Sequence, residues 1–84
     1  SFLDQAVSAN MSDEELLAII QDRGVTIPEL RIAMDNNEPG WFDNNIGVSG
    51  NVLRALGLSD SWNTIQGKRE RRQLIDRMIQ LMKK

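Results

Sequence analysis

The chain has 84 residues, of which 40% are hydrophobic and 26% are charged, and it contains neither Cys nor His. This length suits one small domain, and we expect residues 1–84 to form a single helical domain that is part of a longer protein. The missing Cys excludes disulfides, thiolate nucleophiles and the usual zinc sites. The missing His removes the commonest proton shuttle near neutral pH.

The first strong helix signal is a capping box, in which a Ser side chain and a Glu three residues later satisfy backbone N–H groups. Ser12 and Glu15 have this spacing, and an apolar helix face follows them. Gly24 suits the left-handed position that often closes a helix. The sequence therefore predicts a helix over residues 13–23.

A second capping box, formed by Thr26 and Glu29, starts a helix that we expect to run to about Asn36. Its apolar residues fall on one side, except for Ile32, which points away from them. Ile32 is therefore either buried by another segment or available to a partner, and we expect burial because large apolar side chains are usually covered in a small domain.

Residues 35–51 are rich in Asn, Asp and Gly, and this composition is typical of a loop. Trp41 and Phe42 lie within its central part, residues 38–46. Aromatic side chains in such a loop either fill the core or anchor a partner protein. Core filling is the favoured interpretation, and both residues are kept as candidates for partner binding.

The same segment offers Asp35, Glu38 and Asp43 as oxygen ligands of the kind that calcium prefers. Their spacing does not match an EF-hand loop, so the sequence predicts no metal site.

No nucleophile, oxyanion donor or phosphate-binding loop is recognisable in the sequence either. We therefore expect neither a cofactor nor enzymatic activity, and no catalytic residue is assigned.

The final helix is the longest that the sequence predicts. At about 100° per residue, the apolar residues between positions 74 and 82 share one arc of the helix. Trp62 and Ile65 lie off the centre of that arc, which predicts a break near Gly67.

Further short helices are predicted near residues 2–7 and from about 49 to 56, and the pattern of alternating β-branched residues that marks strands is absent from the sequence. The expected fold is all-α: a compact orthogonal bundle of five or six short helices with a long C-terminal helix.

Positive charge is concentrated at the C-terminal end of the chain. Residues 68–84 contain seven of the ten Lys and Arg against two carboxylates, a net charge of +5. Residues 1–67 contain three Arg against ten carboxylates, a net charge of −7. This separation is the main functional signal in the sequence, because it creates a basic surface on an acidic chain.

Arg69, Arg72 and Arg77 lie on the side of the final helix opposite its apolar arc. Arg71 lies within the arc, so it either pairs with an acid from the first half of the chain or extends beyond the core. We expect the second arrangement, in which the first turn of the helix projects and exposes Arg71 to a partner. All four residues are candidates for partner binding.

The resulting hypothesis is a non-catalytic protein–protein interaction module. It would bind another protein, with an acidic or grooved surface, through the 38–46 aromatic loop and the basic face of the final helix. The alternative is a nucleic-acid-binding accessory domain that contacts phosphates through the same helix. A third possibility is a homodimer that forms through Met78 and Met82, so the sequence does not determine the oligomeric state. Without a signal peptide or a long apolar run, we expect a cytoplasmic location and no membrane contact.

Overall fold

The structure, a computed structural model, describes residues 11–36, 41–46 and 50–84 of the chain. These residues form five helices: α1 Asp13–Arg23, α2 Ile27–Asn36, α3 Trp41–Ile46, α4 Gly50–Ala55 and α5 Ile65–Met82. The predicted all-α class and long C-terminal helix are therefore confirmed. None of these helices is both long enough and apolar enough to cross a membrane. The helix predicted near residues 2–7 lies outside the described residues.

The predicted capping boxes start helices α1 and α2. Ser12 Oγ accepts a hydrogen bond from the Glu15 N–H at 3.2 Å and donates one to Glu15 Oε1 at 2.9 Å. Thr26 and Glu29 repeat this arrangement at the start of α2. Because these contacts satisfy donors that have no partner within the helix, both helices begin where the sequence predicts.

Two helices end at a glycine in the left-handed region, Gly24 (φ 64°) after α1 and Gly57 (φ 77°) after α4. In each case the N–H of the next residue donates to a carbonyl of the last helical turns, at 3.1 Å for Val25 and 2.8 Å for Leu58. Val25 and Leu58 are both buried. Each stop therefore satisfies the helix carbonyls and also places an apolar side chain in the core.

Residues 41–46 form helix α3, so the prediction of a loop over residues 38–46 is wrong for this part. The loop prediction was based on Asn and Asp, which are poor helix formers. The short helix is held by tertiary contacts instead, because Phe42 is inserted into the core. Asn45 also supports it, since its Nδ2 donates to Trp41 O at 2.9 Å.

The loop before helix α5 crosses the first turn of that helix very closely. Thr64 Oγ1 accepts a hydrogen bond from the Gly67 N–H at 2.9 Å and donates one to Ser61 O at 2.8 Å. A Cβ atom on Gly67 would clash with Ser61 O and would lie 2.8 Å from Trp62 Cα. The prediction of a break near Gly67 is wrong in its position, because α5 starts at Ile65 and Gly67 lies inside its first turn. The break lies before Ile65, in residues 61–64.

The core lies where α5 packs against α1 and α2. Its largest fully buried side chains are Leu16, Leu30, Phe42 and Met78, one each from α1, α2, α3 and α5. Met78 is therefore unavailable to a homodimer contact at the surface. Ile32 is 59% exposed, so the expectation that another segment buries it is wrong. It lies on the side of α2 that faces away from the buried residues Leu30 and Ala33.

Replacing Gly67 by Ala should destabilise the fold, although Ala normally favours a helix over Gly by about 1 kcal/mol. The added methyl group must push the backbone of residues 61–62 away from α5, and we expect a cost of about 3 kcal/mol, the upper end for overpacking. Urea unfolding followed by circular dichroism measures this change in the free energy of unfolding.

Gly24→Ala is the matched control for this substitution. A Cβ atom at Gly24 meets nothing within 4 Å. Only the left-handed backbone conformation is then penalised, by about 1–2 kcal/mol. A Gly67→Ala protein that is no less stable than the Gly24→Ala protein would contradict the close approach at Gly67.

Candidate functional site

The basic residues of α5 point in three directions around the helix. Arg71 is buried, Arg77 contacts the start of α1, and Arg69 and Arg72 line a groove beside α2. The single basic face that the sequence predicts is therefore divided. One part is internal, one part joins two segments of the fold, and one part is open to a ligand.

Arg71 is only 5% exposed, so the prediction that it projects toward a partner is wrong. Its Nη2 donates to both carboxylate oxygens of Asp43 at 3.3 Å and to Ser59 O at 3.1 Å. Its Nη1 donates to Gly67 O at 3.3 Å. Pairing with an acid from the first half of the chain, the arrangement that we did not favour, is the observed one. It is needed because an unpaired charge away from water is very costly.

Arg77 holds the segment that leads into α1. Its Nη2 donates to Asp13 Oδ1 at 2.7 Å and to Met11 O at 3.0 Å, and its Nε donates to the same carboxylate oxygen at 3.0 Å. The Met11 N–H in turn donates to Ala55 O at 2.7 Å. The Arg77 guanidinium is thus engaged within the chain, which removes it from the cations that are open to a partner.

The aromatic pair is divided between the core and its edge. Phe42 is 2% exposed and is part of the core, whereas Trp41 is half-buried against it. Their ring centroids lie 6.4 Å apart with the planes tilted by 56°. A fully buried ring cannot anchor a partner while the domain stays folded, so the place of Phe42 among the predicted partner-binding residues is corrected. The favoured interpretation of core filling holds for this residue.

An open groove of about 710 Å³ lies between α2 and one side of α5. Its α5 lining consists of residues that recur every three or four positions: Ile65, Lys68, Arg69, Arg72, Gln73 and Asp76. Met34 of α2 lines the groove from the other side. At 1.5 Å per residue, the α5 lining is about 16 Å long, or about three helical turns.

The groove combines exposed apolar surface with cations that are free to bind a ligand. Ile65 is 81% exposed at the start of α5, and Met34 is half-buried opposite it. The side chains of Lys68, Arg69 and Arg72 form neither a hydrogen bond nor an ion pair with any described residue. An arrangement of this kind suits a ligand that is both apolar and acidic.

Sequence reasoning identified Arg69 and Arg72 but missed Ile65 and Met34. A signal for Ile65 was available, because this residue falls off the apolar arc of α5 and among the cations. We interpreted it as a helix break, whereas it also marks an exposed apolar side chain. Met34 gave no such signal, since it belongs to the same helix stripe as core residues of α2.

Glu70 fixes the loop that follows α4. Its Oε2 accepts a hydrogen bond from the Ser59 N–H at 2.9 Å, and its Oε1 accepts one from Gln66 Nε2 at 3.1 Å. The Ser59 N–H, aided by Gln66 and the charge of Arg71, holds the pKa of Glu70 below its ordinary value of 4.5, although partial burial acts in the opposite direction. Helix α5 thus binds Ser59 twice, through its N–H and through its carbonyl.

Neither a metal cluster nor a known relative indicates the function. Within the described residues, no group of acidic side chains is arranged to hold a metal ion. Glu38, one of the three acids considered for calcium, lies outside those residues. Comparisons with protein-family models, with curated proteins and with solved structures found no match to this chain.

Asp43→Asn should destabilise the fold because the neutral amide leaves the Arg71 guanidinium charged and buried. Removing one partner of a buried ion pair costs about 3–5 kcal/mol. We expect the lower end of this range, because the Asp43 side chain keeps 21% of its surface exposed. The free energy of unfolding in urea measures the effect.

Asp35→Asn is the matched control, since Asp35 is exposed near the end of α2. Its free energy of unfolding should change by less than about 0.5 kcal/mol. If the two variants were equally stable, the structural role of the Arg71–Asp43 pair would be disproved.

The hydrogen bonds to Glu70 should make the stability of the fold depend on pH in acid. Because the folded pKa lies below 4.5, the carboxylate contributes stability above that pH, and this contribution is lost as the pH falls through the folded pKa. Glu70→Gln should flatten this part of the stability profile. Glu14→Gln, an exposed substitution on α1, should leave it unchanged. Thermal unfolding between about pH 2 and pH 6 tests this, and parallel profiles for wild type and Glu70→Gln would refute it.

Proposed function

We propose that this chain is a non-catalytic protein-interaction module that binds an acidic, amphipathic segment of another protein in the groove between α2 and α5. The observation that carries the proposal is the position of Ile65, which stays largely exposed beside cations. A single exposed isoleucine is ordinary on a protein surface. One that lies in a concave surface, next to cations without partners among the described residues, favours a ligand.

The residues that line the groove favour a partner segment with both apolar and acidic side chains. Ile65 and Met34 favour an apolar side chain, since covering 100 Å² of apolar surface contributes about 2.5 kcal/mol. Arg69 and Arg72 favour carboxylates, whose two oxygens match the guanidinium fork. A groove of about three helical turns is smaller than a standard protein interface, so we expect a transient complex.

A nucleic-acid interface is the alternative use of the same cations. Two of the residues expected to contact phosphates, Arg71 and Arg77, are engaged within the chain. The groove also presents Asp76, which repels phosphate, and Ile65, which gains nothing from it. These features favour a protein partner, and a separate titration with a DNA duplex tests the nucleic-acid alternative.

The proposal is tested by titrating the ¹⁵N-labelled chain with an amphipathic peptide of about 12 residues that carries Glu and Leu at helical spacing. We expect shifts in the amide signals of residues 65–76. Ile65→Ser should raise the dissociation constant about 5- to 30-fold, which corresponds to a loss of about 1–2 kcal/mol of apolar contact. Ile32→Ser is the matched control, because Ile32 is also exposed but does not line the groove. It should bind as tightly as wild type.

Three results would overturn the proposal. The first is a silent titration, and the second is an equal loss of affinity in the two isoleucine variants. The third is binding to a mixed-sequence DNA duplex that weakens steeply with salt and is unaffected by Ile65→Ser, which would assign the groove to nucleic acid. Circular dichroism of both variants shows whether they are folded.

A further inference from the structure

We infer that the groove fixes the direction of its ligand. The acidic end of the bound segment lies over Lys68, Arg69 and Arg72, and an uncharged or basic end lies at Asp76. This inference rests on the proposed function. It adds the charge pattern that the partner segment must have and the orientation in which that segment binds.

Charge changes sign along the groove. Lys68, Arg69 and Arg72 lie within about the first two turns of α5, and Asp76 follows one turn later, about 6 Å along the helix axis from Arg72. Arg72 and Asp76 have the spacing of a helix ion pair, yet no ion pair joins them in the described structure. Each charge therefore stays available to the ligand.

The dipole of α5 acts in the same direction as these side chains. Its first turn contains no acid, so the partial positive charge at the N-terminus is not offset there. Glu70, on the second turn, is engaged by the Ser59 N–H instead of lining the groove. A ligand carboxylate is thus stabilised by the cations and by the dipole at one end, and it is repelled by Asp76 at the other.

The apolar contact lies at the cationic end as well. Ile65 precedes Lys68 by one turn on the same side of α5. The partner segment should therefore carry its large apolar side chain close to its acids. About three helical turns away, it should carry a basic or uncharged residue that faces Asp76.

The direction can be measured with a peptide of about 12 residues that has Glu and Leu in one half and a Lys near the other end. Two versions of the peptide are prepared, each with a nitroxide label at one of its ends. The amide signals of the ¹⁵N-labelled chain that are broadened by each version show which residues lie near the label. We expect the label at the acidic end to broaden residues 65–72 and the label at the other end to broaden residues 76–82. Reversed or equal broadening would overturn the inferred direction while groove binding itself stands. If this peptide does not bind although the peptide with Glu and Leu along its whole length does, the inferred charge pattern is wrong. A silent titration with the latter peptide overturns the proposed function itself.

A charge substitution at the end of the groove provides an independent check. Asp76→Lys should weaken binding of the same peptide about two- to fivefold. Asp76 attracts the lysine of the peptide, whereas the lysine introduced at position 76 repels it. Asp22→Lys is the matched control, since it changes the net charge equally at an exposed position on α1 outside the groove. It should leave the affinity unchanged. Equal affinities of the two variants would overturn the role of Asp76 in selecting the direction.

Discussion

The ion pair between Arg71 and Asp43 connects three parts of the chain. Helix α3 supplies the carboxylate, the loop after α4 supplies the Ser59 carbonyl, and α5 supplies the guanidinium. A helix as short as α3 is not stable alone in water. Because a buried guanidinium without a carboxylate is strongly disfavoured, the pair penalises any packing that moves α3 away from α5. The ion pair and the insertion of Phe42 together determine how α3 docks.

Helix α5 is the element around which the other parts are arranged. One side is core, a second side holds the start of α1 through Arg77, and a third side borders the groove. The fold thus uses Arg71 and Arg77 for its own stability. Lys68, Arg69 and Arg72 have no comparable internal role among the described residues. Charge that does not stabilise the fold is available for a ligand, and this difference between the cations supports the proposed function.

Local signals predicted the helices well, whereas contacts between distant residues escaped sequence reasoning. The capping boxes of α1 and α2 and the glycine stop of α1 depend on close neighbours along the chain, so their positions could be predicted. Arg71 and Asp43 are 28 positions apart. A helical wheel places Arg71 on the inner side of α5, but it does not show which acid lies there. The groove could not be predicted for the same reason, because Met34 and Ile65 lie far apart in sequence and line one groove only after the helices have packed.

Helix α5 follows the other described helices along the chain, and this order has a consequence for protein synthesis. Arg77 contacts Asp13 across 64 positions, and Met78 completes a core begun by Leu16 and Leu30. Since a chain leaves the ribosome N-terminus first, the apolar faces of α1 and α2 are exposed before α5 emerges. The contacts that complete the core form only after α5 has left the ribosome, and until then the apolar faces of α1 and α2 lack the helix that covers them.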